Sequence, residues 1–172
     1  ALTFADQVVV MTRGQAVQIG TAAELFERPQ HRFVGHFIGS PGMNFLPAHG
    51  QDGAIVVADQ RLSVVPALAE RLSALGEFTL GIRPEYVTLA DAGTMGALPV
   101  TVSQIQDIGT YWLLAARVGE TVVRARLPLA SAIPQVGDPV WLKVLGPHSC
   151  CYGSNQQLIA AGLEPLSPGE SP

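Results

Sequence analysis

Few residues in this chain are of a type and spacing that could do chemistry. The four histidines, His31, His36, His49 and His148, are scattered, and the closest two are five positions apart, a poor spacing for one helix face. Cys150 and Cys151 are adjacent and have no other cysteine to pair with. Neighbouring cysteines seldom bridge each other, and no Cys-x-x-Cys or ordered Cys/His spacing points to a metal or redox site. Both are therefore expected in the core, in a reducing compartment. No Ser/His/Asp or Cys/His order stands out, and the carboxylates fall mainly at turns, so an enzyme in its own right is the least supported reading. A triphosphate needs a glycine cradle, a lysine and Mg²⁺ ligands together, and the chain has no G-x-x-x-x-G-K-[ST] run. Backbone N–H groups at the turns Gly109-Thr110 and Ser154-Asn155 could hold a small anion. The remaining candidate is Gly81-Ile82-Arg83-Pro84-Glu85, where two opposite charges flank a proline at a strand end. Either Arg83 and Glu85 form a surface pair worth little, or they sit at a domain or dimer contact.

These residues hang on two kinds of element. Val8 to Met11 is a β-branched run that turns at Arg13-Gly14 into the alternating Gln15 to Ile19, which predicts a hairpin. Thr21-Ala22-Ala23-Glu24 has the spacing of a capping box and predicts a helix over Ala22 to Arg28 with Leu25 and Phe26 buried, stopped by Pro29. A second helix is predicted over Gln30 to Ile38, with Phe33, Val34, Phe37 and Ile38 as its buried face, ended by Gly39-Ser40-Pro41-Gly42. Asn44 to Asp52 reads as a connection.

After Gly53 the pattern becomes short β-runs separated by Gly, Pro, Asp and Asn. Ala54 to Ala58 and Leu62 to Val65 form a hairpin, and Pro66 to Ala74 a short helix. Phe78 to Arg83 is a strand, followed by a tight or helical turn at Pro84-Glu85-Tyr86. The broken alternation between Val102 and Ile105 predicts a bulge in the run Leu98 to Ile108. Tyr111 to Val118 and Thr121 to Leu127 pair next, with Val123, Ala125 and Leu127 on one face and Arg124 and Arg126 on a solvated one. Val140 to Leu145, Ser149 to Tyr152 and Gln157 to Ala160 complete the set. The chain thus reads as mainly β: a short hairpin-plus-helices segment over residues 1–45, an OB-like small β-barrel over 46–162, and a disordered tail over 163–172.

The 48% hydrophobic content is high and the charged content of 14% low, yet no apolar run approaches a membrane span of about 18 residues. Few charges on a hydrophobic chain imply surface buried against a partner. The net charge is −4, and no cluster of cations suggests nucleic acid or anionic lipid. No signal peptide opens the chain, and Ala1 is not a natural start, which suggests a piece of a longer protein.

The stretch from Ala5-Asp6 through Gly20-Thr21, Glu24-Leu25, Pro29, Phe33-Val34 and Phe37 to Leu46, with SPGMNFL (Ser40 to Leu46) and LGIRPE (Leu80 to Glu85), resembles the ATP-binding subunits of ATP-binding-cassette (ABC) importers of the maltose-transporter type. FIGSPGMNFLPA is most similar to the branch for polyols, glycerol and glycerol phosphate. The resemblance implies that residues 1–45 are the end of a nucleotide-binding domain and that the rest is a transport-associated OB (TOBE) regulatory barrel of the kind also found in molybdate-binding (MOP-like) relatives. The intact protein would then be a cytoplasmic homodimer, peripheral at the inner face of the cell membrane below two permease subunits, coupling hydrolysis of ATP with Mg²⁺ to import. This piece, lacking phosphate loop, signature and catalytic carboxylates, would hold no cofactor and not hydrolyse ATP. Gln106 to Trp112 departs from the family pattern, in which a Leu-Gly and an acidic residue are usual. The alternative is a small barrel binding an oxyanion or sugar. A further expectation is that Val8 to Met11 exposes apolar surface and a bare edge, so that the chain self-associates.

Overall fold

The computed structural model describes residues 5–167 and 169. Mainly β structure is observed, in three sheets. β1 (Val8–Thr12) and β2 (Gln15–Gly20) form the expected antiparallel hairpin, with Val9 opposite Ile19. α1 (Ala22–Glu27) begins with the full capping box: Glu24 N–H donates to Thr21 Oγ1 at 3.2 Å, and Thr21 N–H donates to Glu24 Oε2 at 2.8 Å. α2 (Arg32–Phe37) starts two residues later than the sequence pattern predicts. Gln30 is held instead as an acceptor from Leu158 N–H, and Arg32 N–H donates to Gln156 O, so this stretch is tied to the last hairpin of the chain before it can wind. Val10, Leu25, Val34 and Ile38 close a small core beneath the hairpin.

Phe37 was expected on the buried face and is not: it is 67% exposed, while Val34 is fully covered. A six-residue helix presents only one side to this small core. Phe37 stacks on Phe33 along the flank, with centroids 5.7 Å apart.

β3 (Asn44–Gln51), expected as a connection, is a central strand. The six-stranded sheet runs β13-β12-β6-β3-β4-β5, with β4 (Ala54–Val57), β5 (Gln60–Ser63), β6 (Glu77–Ile82), β12 (Cys150–Tyr152) and β13 (Leu158–Ala161). Pro47 is tolerated because pairing to β4 begins only at Ala48, so at Pro47 the strand has β6 alone beside it. α3 (Pro66–Leu75) packs on this sheet with Ala69 and Leu72 buried.

The five-stranded sheet runs β10-β9-β8-β11-β7, built from β7 (Thr88–Ala90), β8 (Ala97–Asp107), β9 (Trp112–Val118), β10 (Thr121–Leu127) and β11 (Pro139–Lys143). The register of β8 against β9 slips between Val102 and Gln104, which is the expected bulge. The inner faces of both sheets share one core, including Leu46, Ile55, Leu80, Leu98, Leu114, Val123 and Leu142. Burial of each such side chain is worth roughly 1.5–3 kcal/mol. This is the OB-like, curled-sheet architecture that the run of short strands implied.

The expected disordered tail is in part structured. Leu163 and Leu166 are buried, Pro165 bridges Val64, and Leu166 N–H donates to Ser63 O. Two leucines spaced three apart outweigh the polar, proline-rich composition because β5 would otherwise be an open edge. Residues 168 and 170–172 of that predicted tail lie outside the described residues.

Candidate functional site

The five residues Gly81 to Glu85 fall at the end of β6, where the barrel meets the two-helix unit. Gly81 lies between Met43 and Tyr152: a Cβ there would come within 2.8 Å of Met43 Sδ and Tyr152 Cε2, so only glycine fits. Ile82 pairs with Asn44 and belongs to the main core. Pro84, buried, opens a one-turn 3-10 helix over Pro84–Tyr86, its fixed φ suiting the first helical position.

Arg83 is 1% exposed, which removes the reading of a surface pair. Its Nε donates to Phe26 O at 2.8 Å, and its Nη1 donates to Ile38 O at 2.5 Å and Gly35 O at 3.4 Å. The guanidinium also lies over the Phe26 ring, 4.1 Å from its centroid. One side chain thus gathers carbonyls at the ends of both helices. Gly35 and Ile38 stand at the C-terminal end of α2, where helix carbonyls lack internal partners and carry partial negative charge. Gly39 takes φ +110° beside it, and a Cβ there would come within 2.7 Å of Arg83 Nη1. Burial pushes the Arg83 pKa below its usual value, opposed most by the field of Glu85. Burial conversely raises that of Glu85, opposed by Arg83 and Arg126. Arg83 Nη2 and Glu85 Oε2 are buried without a protein partner.

Around this clamp stand contacts that sequence reasoning missed. Tyr86 donates its hydroxyl to Glu27 Oε1 at 2.5 Å and stacks on His148 with centroids 3.8 Å apart. His148 Nδ1 lies 3.2 Å from Glu27 Oε2, within hydrogen-bonding distance. Burial, helped by Glu27, pushes the Tyr86 hydroxyl up to about 12. Tyr152 donates to Pro29 O at 2.6 Å. Asn44 joins the two sheets: its Nδ2 donates to Arg124 O at 2.8 Å and its Oδ1 accepts from Arg124 N–H at 2.9 Å. Tyr86 directly follows LGIRPE and Asn44 lies inside SPGMNFL, so position was the available signal. The partners could not be read.

The other candidates do not converge. His31 caps α2, its Nδ1 accepting from Phe33 N–H at 3.0 Å. His36 is exposed, and His49 faces Gln51 at 3.4 Å. Both cysteines are buried free thiols, and burial pushes that of Cys151 up to about 12. The Gly109 N–H is taken by its own neighbour, Asp107 Oδ1, at 2.8 Å, which leaves no anion cradle there. Ser154 borders an open groove of about 470 Å³ that also includes Arg32, Asp59 and Glu77, and its two carboxylates do not suit an oxyanion. Among the described residues no group of three or more His, Cys, Asp or Glu could hold a metal.

Two family models match, and they cover the barrel side of the junction just described: the MalK OB fold domain over residues 39–87 and the TOBE domain over residues 80–150. Between them the two matches run from residue 39 to residue 150 and show what this part of the chain is similar to. Arg83 lies in the stretch that both matches share. The sn-glycerol-3-phosphate import ATP-binding protein UgpC of Salmonella typhi is 37% identical over 150 residues, covering 84% of this chain and 40% of the relative. That of Vibrio vulnificus strain CMCP6 is 35% identical over 153 residues, covering 84% and 39%. An uncharacterized ABC transporter ATP-binding protein, y4oS of Sinorhizobium fredii, is 35% identical over 144 residues, covering 83% and 38%. The alignments thus span about two fifths of these ATP-binding proteins. No helix among the described residues is long and apolar enough to cross a membrane.

Proposed function

We propose that the chain is the C-terminal portion of an ABC importer's ATP-binding subunit, and that its barrel is a regulatory and dimerisation module rigidly coupled to the ATPase core through Arg83. The supporting observation is the Arg83 clamp, which satisfies Phe26, Gly35 and Ile38 carbonyls from within the barrel. Any displacement of the two-helix unit from the barrel strands a buried charge, which costs about 3–5 kcal/mol. Movements of the ATPase core during closure and opening therefore reach the barrel as rigid-body movements. In this reading the transported solute is glycerol 3-phosphate or a related polyol compound, after the names of the relatives. ATP and Mg²⁺ are bound by the part of the subunit that precedes this piece, which does not itself hydrolyse ATP. The partners are a second copy and two permease subunits, at the inner face of the cell membrane.

The test uses the intact subunit in its reconstituted transporter, with glycerol 3-phosphate as solute. Arg83→Ala should lower the solute moved per ATP hydrolysed by about 2- to 30-fold, the range that a coupling of about 0.5–2 kcal/mol gives. ATP binding should persist. An assembled Arg83→Ala transporter with an unchanged ratio of transport to hydrolysis would reject the coupling role. Failure of the wild-type assembly to move glycerol 3-phosphate would reject the solute.

A further inference from the structure

The outward face of the five-stranded sheet carries a charge pattern that the importer reading does not use. Strand alternation puts Val123, Ala125 and Leu127 of β10 and Leu114, Ala116 and Val118 of β9 in the core. The intervening positions, Arg124 and Arg126 on β10 and Arg117 on β9, point outward and are exposed. Their register places Arg124 opposite Ala115, Arg126 opposite Leu113 and Arg117 opposite Val122, so the three arginines form one diagonal band. Across β8 the band continues into Thr101, opposite Arg117, and into Gln104 and Gln106, opposite Ala115 and Leu113. Lys143 lies on the same face of β11. No outward position of these five strands is Asp or Glu, and the sheet's one carboxylate, Asp107, caps its own turn by accepting from Gly109 N–H.

A chain of net charge −4 thus collects four of its ten Lys and Arg residues on one sheet face without an interleaved acid. Solvated faces ordinarily mix signs, because like charges side by side repel. Among the described residues none of the four is ion-paired. Arg126 lies over the Tyr111 ring, its Cζ 3.8 Å from the centroid, a contact that restrains the side chain. Glu85 at the rim feels the field of Arg126.

We propose that this face docks the acidic surface of another protein. Two features favour that partner over other polyanions. The Tyr111 ring face beside the arginines is already covered by Arg126, so it offers no platform for base stacking. None of the strongly exposed apolar side chains (Val9, Met11, Ile19, Phe37, Leu75, Ile108, Leu129 and Val136) lies within these five strands, and only Ile108, one residue past β8, adjoins the arginines through Tyr111, so a membrane would find a single apolar contact at the edge and no anchor on the face itself. Arginine forks suit clustered carboxylates, and arginine is enriched at protein interfaces.

The experiment titrates the whole chain with fluorescently labelled poly-L-glutamate at low and at moderate salt. Parallel titrations use a single-stranded oligouridylate and vesicles containing phosphatidylserine. Poly-L-glutamate should bind with salt-sensitive affinity. The triple variant Arg117→Gln, Arg124→Gln, Arg126→Gln should weaken it by about tenfold or more, the loss that a few charge-assisted contacts give. The control variant Arg13→Gln, Arg28→Gln, Arg61→Gln has the same net charge and should bind as wild type does. Equal weakening in both variants, no binding of poly-L-glutamate, or tighter binding of the oligouridylate or vesicles through the three arginines would each overturn the proposal. Thermal unfolding of both variants within a few degrees of wild type establishes that a loss is not misfolding.

Discussion

Glu85 keeps Oε2 buried without a partner, and burial raises its pKa more than Arg83 and Arg126 lower it. The folded protein therefore holds this proton to a higher pH than the unfolded chain, whose glutamates ionise near pH 4.3. As pH rises from there through the folded value, the unfolded state binds fewer protons and stability is lost. Glu85→Gln carries no such loss. Urea midpoints should show the variant gaining on the wild type between pH 4 and pH 7. A difference that stays constant across that range would show that Glu85 ionises normally. Arg83 obeys the same principle with the opposite charge, yet its carbonyl partners hold it in place. The importance of LGIRPE was legible in the sequence, but those partners were not, since they lie 57, 48 and 45 positions away. A surface ion pair and a buried carbonyl clamp use the same residue types, and only burial distinguishes them.

Elements with local causes were the legible ones. The capping box of α1 was visible because every group it needs lies within four residues, and Thr21→Ala should cost about 1 kcal/mol, read as a lower denaturation midpoint with an unchanged m-value. A wild-type midpoint would mean that tertiary packing alone holds α1. The hairpins and the β8 bulge were legible for the same reason: turn residues and alternation are local. β3 was not, because Pro47, His49 and Gly50 read as breakers and only pairing with β6 and β4 makes them a strand. The start of α2 was misplaced because Gln156 and Leu158, far along the chain, compete for its first residues. The face of Phe37 was misread because periodicity reports which side of a helix is apolar and not how wide the core beneath it is.

At the scale of the whole molecule, the hairpin gathers three of the strongly exposed large apolar side chains among the described residues. Val9, Met11 and Ile19 are each more than half exposed, while Val10 behind them is buried. The expected self-association follows from this face. Static light scattering should show the chain associating with rising concentration. Val9→Thr, Met11→Thr, Ile19→Thr should shift it toward monomer while changing stability by no more than about 0.5 kcal/mol per site, as for surface positions. A wild-type chain that stays monomeric at high concentration would remove the premise.

The stretch around Leu166 carries a consequence in time. Val64 is bridged by Pro165, and Leu166 seals the same strand end. The two partners are about a hundred positions apart, and a ribosome adds roughly 5–20 residues each second. The β4–β5 hairpin therefore emerges about 5–20 s before the segment that finishes it. During synthesis the β4–β5 hairpin exists for that interval with its outer edge unpaired, and a nascent chain stalled there presents that edge to chaperones and to neighbouring chains on the same messenger.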